Sequence, residues 1–188
     1  MNNTIDICLA ILKELEESLS KIDKQQAQTF ADAIIASKKV FVAGCGRSLL
    51  MIRGLAMRLM HMGFEAYVVG ETVTPAIGPG DLLIIASGSG ETGTLVVMAN
   101  KAKKAGASVA LITIYPESTI GKLADHIVRI NAATTKGTRE SVKSIQPGAN
   151  TFEQSVLLFG DATMVYIIER CNITESNTAL MKRHANLE

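Results

Sequence analysis

Residues 81–92, DLLIIASGSGET, decide how this 188-residue chain folds. The first half is a continuous apolar run without alternation, which is typical of a strand buried on both faces of a parallel sheet. The second half supplies hydroxyls and two glycines, and nothing that could pack a core. Because a helical pattern follows at 92–105, the stretch predicts a strand, a tight turn and a helix.

Similar apolar runs recur along the chain, and helical patterns separate most of them. Repeated strand–helix–strand units predict an α/β fold, namely a three-layer sandwich with a five-stranded parallel sheet flanked by helices, of the flavodoxin-like type. The other strands are predicted at 38–44, 65–70, 108–114 and 126–130, and the other helices at 4–36, 47–62, 118–124, 151–171 and 176–183.

The length of the chain suits one domain, which would bury about 70% of its unfolded surface. We therefore expect a single domain over 1–188, with an N-terminal packing helix region at 1–36 and C-terminal helices at 151–188. Residues 131–149 form no clear element, and a loop of this length in a compact domain is usually functional. That loop carries Lys136, Arg139 and Lys143.

Composition excludes several classes of partner. The charges balance, with 19 basic and 18 acidic residues and no basic tract, so no nucleic acid partner is expected. No apolar run is long enough to cross a membrane, and the N-terminus lacks the features of a signal peptide. Scattered Cys8, Cys45 and Cys171 fit a reducing cytoplasm. An apolar content of 47% with eight methionines predicts a homo-oligomer.

Two turns at strand ends are candidates for a ligand site, because ligands of open parallel sheets bind beyond the carboxyl ends of the strands. One turn lies in VFVAGCGRSLL at 40–50, and the other is SGSGET at 87–92. In both, glycines let the backbone approach a ligand, and the next helix aims free N–H groups at it. Three hydroxyls within six residues suit a tetrahedral phosphate, since each hydrogen bond to a charged group contributes about 1.5–3 kcal/mol. The candidate binding residues are Arg47, Ser48, Ser87, Gly88, Ser89, Gly90 and Thr92.

Other interpretations of these turns are open. The hydroxyls of the second turn also fit a Ser/Thr turn that caps the helix beginning near Thr92, although phosphate binding is favoured. A dinucleotide site is weaker, because GCGRSL lacks the third glycine and Glu71 is only the nearest candidate for the ribose acid. The chain has no G-x-x-x-x-G-K-[ST] loop for a nucleoside triphosphate.

The motifs resemble the sugar isomerase (SIS) domain, in which SGSGET-type hydroxyls hold the phosphate of a phosphosugar. With AMRLMHMGFEAYVVGETVTP, IQPGANTFEQSVLLFGDA and MKRHANLE, the chain is similar over nearly all of 40–188 to the 6-phospho-3-hexuloisomerases of that family. The resemblance implies conversion of 3-hexulose 6-phosphate to fructose 6-phosphate through a cis-enediol, with no metal or organic cofactor. It also implies a tetramer in the ribulose monophosphate pathway of formaldehyde fixation, linked functionally to 3-hexulose-6-phosphate synthase. The family usually has a sequence close to QPMGSLFEQ where this chain has QPGANTFEQ at 146–154, so the methionine of that motif is missing here.

Glu153 matches the glutamate of the family motif, so the resemblance implies that it is the catalytic base. The residues alone leave a second interpretation open. TFEQ has the form of a capping box, with Thr151 as N-cap and Gln154 at the third helical position, and an acid in the first turn needs no further reason. Arg47 opens a helix, where a cation opposes the helix dipole, so a ligand or a partner acid is expected beside it.

The histidines are assigned mainly through the resemblance. His61 and His184 are candidate donors to the enediol, because in several related isomerases a histidine reaches the site from a neighbouring subunit. His61 is equally explained as a cation at a helix C-terminus. His126 begins an apolar run and is expected to be structural.

Two rival functions remain open. One is another phosphosugar aldose–ketose isomerase, for arabinose 5-phosphate or sedoheptulose 7-phosphate. The arabinose type usually carries regulatory domains for which 188 residues leave no room. The other is a non-catalytic phosphosugar sensor, which usually joins a SIS domain to a DNA-binding helix-turn-helix. The near-neutral charge and the packing helix predicted before the first strand argue against that sensor.

Overall fold

Five parallel strands form one sheet at the centre of the chain, which confirms the predicted α/β fold. A computed structural model describes residues 3–133, 144–148, 150–173 and 175–187. The strands are β1 Val40–Gly44, β2 Ala66–Val68, β3 Leu82–Ala86, β4 Ser108–Thr113 and β5 His126–Arg129. Their order in the sheet is β2-β1-β3-β4-β5.

The helices of the described residues are α1 Thr4–Leu19, α2 Lys24–Ala36, α3 Gly46–His61, α4 Gly93–Lys104, α5 Thr151–Arg170 and α6 Ser176–Arg183. Adjacent strand residues point to opposite faces of the sheet. On β1, Val40 and Val42 pack into a core shared with α2, α3 and α5, whereas Phe41 and Ala43 pack into a core shared with α4. Both faces are covered, so the strands carry no polar alternation and the sandwich has three layers.

The prediction of one helix over 4–36 is wrong, because the chain breaks at residues 20–23. Asp23 has extended backbone angles, and its side chain accepts the amide of Gln26 at 2.9 Å. A short acidic side chain that bonds to its own backbone favours a new helix start over continuation. The result is two helices, α1 and α2.

The predicted helix at 118–124 is also wrong, because this segment consists of turns. Ser118 Oγ accepts the amide of Gly121 at 3.2 Å, and the amide of Leu123 bonds to the carbonyl of Ile120, three residues before it, as in a turn. Asp125 then accepts the amide of Val109 on the neighbouring strand at 2.8 Å. Local bonds of this kind use the polar groups that a helix would need.

Residues 134–143, which carry Lys136, Arg139 and Lys143 of the predicted 131–149 loop, lie outside the described residues. His126 begins β5 and is half-buried, as a structural residue at a strand start would be. No helix in the described part of the chain combines the length and the apolar character needed to cross a membrane.

Candidate active site

The two predicted turns meet because of the strand order. From β1 the chain moves to β2 on one side of it and then to β3 on the other, and Gly44 at the end of β1 pairs with Ala86 at the end of β3. A Cβ on Gly44 would lie 3.0 Å from Leu49 Cα, so glycine lets α3 start directly against the sheet. Ligands of open α/β sheets bind at such a switch point.

A cavity of about 330 Å³ opens at this point. The first turns of α3 and α4 border it on one side and the first turn of α5 on the other. Of the residues predicted to bind phosphate or to act as base, it is lined by Ser48, Ser87, Gly88, Ser89, Thr92 and Glu153. Across the described ranges, no group of three or more histidine, cysteine, aspartate or glutamate side chains could hold a metal ion.

The hydroxyls of the SGSGET turn keep their protons available. Ser87 is 5% exposed, and its Oγ accepts the amide of Gly90 at 3.1 Å. Ser89 Oγ accepts the amide of Glu91 at 3.2 Å. The bonds of Ser87 and Ser89 are those of the Ser/Thr-turn interpretation, whereas Thr92, the N-cap residue of α4, makes no capping bond with its side chain. Each hydroxyl can therefore donate to an anion that also faces the free amides of the helix N-termini.

The turn is held from behind by the segment that follows β4. The carbonyl of Gly90 accepts the amide of Ile120 at 3.1 Å, and Glu91 Oε1 accepts the amide of Thr119 at 2.7 Å. Hydrogen bonds from Thr119, first from its amide and then from its side chain, lower the pKa of Glu91. Glu91 therefore acts as an anchor of the turn, and it lies before α4 rather than within the first turn of that helix.

Gly90 is the residue in this turn that no other amino acid can replace without strain. It has φ +63°, and a Cβ there would lie 1.9 Å from Ser118 Oγ. Gly90→Ala should lower the free energy of unfolding by about 1–3 kcal/mol, because the left-handed backbone and the contact both disfavour a side chain. Thermal melts measure this loss. Gly78→Ala is the matched control, since Gly78 has open space around its Cβ position, and equal melting of both variants would contradict the prediction.

Arg47 forms an ion pair with Glu153, which lines the cavity, although Arg47 itself is not among the lining residues. Arg47 Nε, at the start of α3, donates to Glu153 Oε1, in the first turn of α5, at 2.7 Å. This is the partner acid expected beside a cation at a helix N-terminus. Glu153 is 9% exposed, and among the described residues none donates to its second oxygen, Oε2. The guanidinium thus compensates a nearly buried carboxylate while leaving one oxygen to face a ligand.

The capping box predicted from TFEQ does not form. Asn150 is the N-cap residue of α5, and its side chain makes no capping bond. Thr151 is the first helical residue, and its hydroxyl donates to Glu14 Oε2 on α1 at 3.4 Å. Gln154 accepts the side-chain amide of Gln146 at 3.0 Å instead of the N-cap amide. Thr151 and Gln154, which the local motif assigns to capping, therefore form hydrogen bonds with Glu14 and Gln146.

His61 and His184 lie together, away from the cavity of their own chain. Their rings stack at 5.6 Å between centroids, and Arg183 donates to the carbonyl of His61 at 3.4 Å. His61 ends the 16-residue helix that Gly46 begins, which separates it from the cavity by about 20 Å. Burial first, and then the charges of His184 and Arg58, lower the pKa of His61. A role for either histidine in catalysis therefore requires a second chain.

Sequence reasoning missed the apolar wall of the cavity. Phe152 and Ile114 line it beside Gly88, where a Cβ would lie 3.4 Å from Phe152 Cδ1. Phe152 stands next to Glu153 in the chain, so the family motif could have indicated it. Nothing in the local pattern distinguishes Ile114, because it follows a buried strand of other apolar residues. Cys45, Ala133 and Gly148 also line the cavity.

Comparison with known proteins gives consistent results. The SIS domain family matches residues 33–157. The 3-hexulose-6-phosphate isomerase of Bacillus subtilis (strain 168) is 46% identical over 185 residues, which cover 98% of this chain and 99% of the relative. That of Mycobacterium gastri is 42% identical over 175 residues, covering 93% of this chain and 86% of the relative.

A solved structure agrees with these relatives. It is a Methanococcus jannaschii protein for which the function of a 3-hexulose-6-phosphate isomerase was inferred, with a TM-score of 0.82 and 33% identity over 97% of this chain and 99% of that one. Together with the family match and the curated relatives, it confirms the resemblance carried by the sequence motifs. The chain belongs to the SIS domain family, and within it to the group of the 3-hexulose-6-phosphate isomerases.

Proposed function

We propose that this chain is a phosphosugar isomerase that interconverts 3-hexulose 6-phosphate and fructose 6-phosphate. The observation that carries the proposal is one cavity that holds both the hydroxyls of the SGSGET turn and the Glu153 carboxylate. A phosphate site without a base would bind a phosphosugar but not convert it. A base without a phosphate site would lack a substrate positioned for proton transfer. The names of the curated relatives support the same reaction.

The phosphate is bound by Ser87, Ser89 and Thr92, with Ser48 on the opposite turn. These hydroxyls lie at the carboxyl ends of β1 and β3, where α3 and α4 direct their N-termini. Backbone N–H groups and hydroxyls can surround a tetrahedral anion and satisfy several of its oxygens at once. The phosphate therefore fixes one end of the sugar, and its carbon chain extends toward α5.

Glu153 transfers the proton between two neighbouring carbons. Its carboxylate removes the proton from C2, the C–H electrons form the C2–C3 double bond, and the C3 carbonyl oxygen takes a proton to give the cis-enediol. The carboxylic acid then returns its proton to C3 while the C2 hydroxyl releases a proton to solvent, which replaces the one taken up from solvent at the C3 oxygen, and C2 becomes the new carbonyl. One positioned base that does both steps contributes about 10²- to 10⁴-fold.

The substrate needs no ring-opening acid. Closing a five-membered ring onto a C3 carbonyl would use the C6 oxygen, which carries the phosphate. The hexulose phosphate is therefore mostly acyclic, and C2 and C3 are accessible to the carboxylate without a ring-opening step. This fits a cavity in which Glu153 is the one carboxylate among the lining residues described.

The oxygen that becomes negative during proton transfer needs donors, as in an oxyanion hole. Arg47 is the candidate for this role, because it holds the cavity-lining Glu153 through Nε and its side chain is half-exposed. His61 and His184 fill the same role if a second chain brings its histidine pair to the cavity. That arrangement gives the subunit interface a part in the reaction.

Exposed apolar side chains support an assembly of identical chains, which we propose is a homotetramer. Leu50, Met57 and Met60 on α3 are exposed, and so are Leu9 and Leu12 on α1. Exposed leucines and methionines on the same helices are typical of an interface when they form one patch. The finer assignments follow the relatives: a cytoplasmic location, a place in the ribulose monophosphate pathway of formaldehyde fixation, and a functional link to 3-hexulose-6-phosphate synthase.

A coupled assay tests the function directly. Purified protein supplied with 3-hexulose 6-phosphate should produce fructose 6-phosphate, and a chelator should not reduce the rate, since the proposed chemistry uses only protein groups. Activity on an aldose phosphate alone would favour the rival isomerase. Binding of both phosphosugars without turnover would instead identify a sensor.

A further inference from the structure

Glu14 on α1 collects hydrogen bonds from the segment that leads into the catalytic helix. The donors are more than 125 residues away in the chain, and they lie on both sides of the turn before α5. Glu14 Oε1 accepts one backbone amide and Oε2 accepts three side chains. These donors are the Ile145 amide at 2.7 Å, Ser144 Oγ at 2.8 Å, Gln146 Nε2 at 3.2 Å and Thr151 Oγ1 at 3.4 Å.

The segment that Glu14 holds contributes directly to the cavity. Gly148 and Glu153 line the cavity, and they lie within and just after the residues that Glu14 contacts. Gln146 extends the network, because its amide nitrogen also donates to Gln154 Oε1, one residue beyond Glu153. The orientation of the first turn of α5 thus depends on a carboxylate of α1.

The charge of Glu14 is matched to this network. Burial works against its ionisation, but four hydrogen bonds, led by that of the Ile145 amide, outweigh burial and lower the pKa of Glu14. An ionised carboxylate is acceptor-only and can receive all four donors at once. Its neighbours on the same helix differ, since Glu16 is exposed and Glu17 pairs with Lys21 at 2.6 Å.

A second contact from α1 strengthens the inference. Ser18 is 2% exposed, and its Oγ donates to the carbonyl of Asn131 at 2.8 Å, just after β5. Residues four apart share one face of a helix, so Glu14 and Ser18 point the same way. This face of α1 therefore fixes the chain both where it leaves β5 and where it enters α5.

We propose that Glu14 is a positioning residue for the isomerase site, which sets the placement of Glu153 through residues 144–146 and Thr151 and does not touch the substrate. The proposal rests on the proposed function, because the effect of misplacement is seen in proton transfer. It assigns to α1, outside the family match at 33–157, a role in the active site.

The first test is amide hydrogen exchange on Glu14→Gln, with Glu16→Gln as the matched control. Both variants lose one negative charge from the same helix, but of the two glutamates only Glu14 hydrogen-bonds to the described residues of the segment before α5. Exchange in a peptide covering 144–154 should accelerate about 10-fold in Glu14→Gln and stay unchanged in Glu16→Gln. Unchanged exchange in both variants, or acceleration throughout the chain of Glu14→Gln, would overturn the proposal.

The second test separates catalysis from binding. We expect kcat of Glu14→Gln to fall by about 10- to 100-fold, because a displacement of ~1 Å near the reacting atoms can cost about 10²-fold. KM and the affinity for fructose 6-phosphate should change little, since the phosphate hydroxyls lie on other elements. Glu14→Asp should recover part of kcat. An unchanged kcat, or equal losses in kcat, affinity and melting temperature, would overturn the positioning role.

The two failures can be told apart. A wild-type protein that binds fructose 6-phosphate without isomerising it refutes the proposed function, together with a positioning role in that reaction. Normal wild-type turnover with unchanged exchange in Glu14→Gln refutes only the role of Glu14.

Discussion

Replacing Glu153 with glutamine should lower kcat by about 10²- to 10⁴-fold while the protein still binds fructose 6-phosphate. Glutamine has nearly the same shape, so Phe152 and the start of α5 can keep their positions. Its amide cannot accept the C2 proton, however, and the bond from Arg47 Nε then reaches a neutral oxygen. Steady-state kinetics and calorimetric binding on the same preparation give the two quantities.

Glu169→Gln is the control for this variant. Glu169 is exposed at the far end of α5, so it changes the net charge equally without reaching the cavity. Its kcat should equal that of the wild type. A Glu153→Gln protein that keeps more than about a tenth of wild-type kcat would remove Glu153 as the base, since a positioned base contributes more than that.

Replacing Thr92 with valine should weaken phosphosugar binding by about 10- to 100-fold, because one hydrogen bond to a charged phosphate contributes about 1.5–3 kcal/mol. Valine has the same branched shape, and the threonine makes no capping bond, so stability should change little. Binding lost equally from substrate and transition state raises KM and leaves kcat nearly unchanged. Titration with fructose 6-phosphate measures the affinity.

Thr94→Val provides the comparison for Thr92→Val. Thr94 stands two residues further along α4, is exposed, and has a thiol contact to Cys45 at 3.7 Å. It does not line the cavity, so its replacement should leave affinity unchanged. If Thr92→Val also binds like the wild type, the hydroxyl of Thr92 does not contact the phosphate.

The sheet could be predicted from the sequence because a strand buried on both faces appears as a short run of apolar residues without polar alternation. The run LLIIA at 82–86 is apolar at every position and forms β3, whose residues pack into the cores on both faces of the sheet. The helix breaks were harder, since Asp23 competes with the helix through one side-chain bond that a periodic pattern does not register. The turns at 118–124 were not predicted for the same reason, since the bond of Ser118 Oγ to the Gly121 amide is also invisible in a periodic pattern.

The site could be predicted as far as its local motifs extend. The turns at the ends of β1 and β3 carry recognisable hydroxyls and glycines, and parallel strands bring their carboxyl ends to one edge. The contacts of Glu14 with residues 144–146 and Thr151 could not be anticipated, because they join segments more than 125 residues apart. A local motif can also mislead. Thr151 fits a capping box, but its hydroxyl bonds to Glu14 on α1.

In the proposed site, the hydroxyls that follow β3 bind the phosphate and the carboxylate on α5 transfers the proton, so recognition and turnover would be independent traits. Binding can be kept while turnover is lost, so a single substitution at Glu153 should convert the enzyme into a protein that only binds the same phosphosugar. A descendant of such a protein could then report the concentration of a phosphosugar without consuming it. The Glu153→Gln variant is accordingly a starting point for a biosensor, with the cavity of about 330 Å³ already shaped for the analyte.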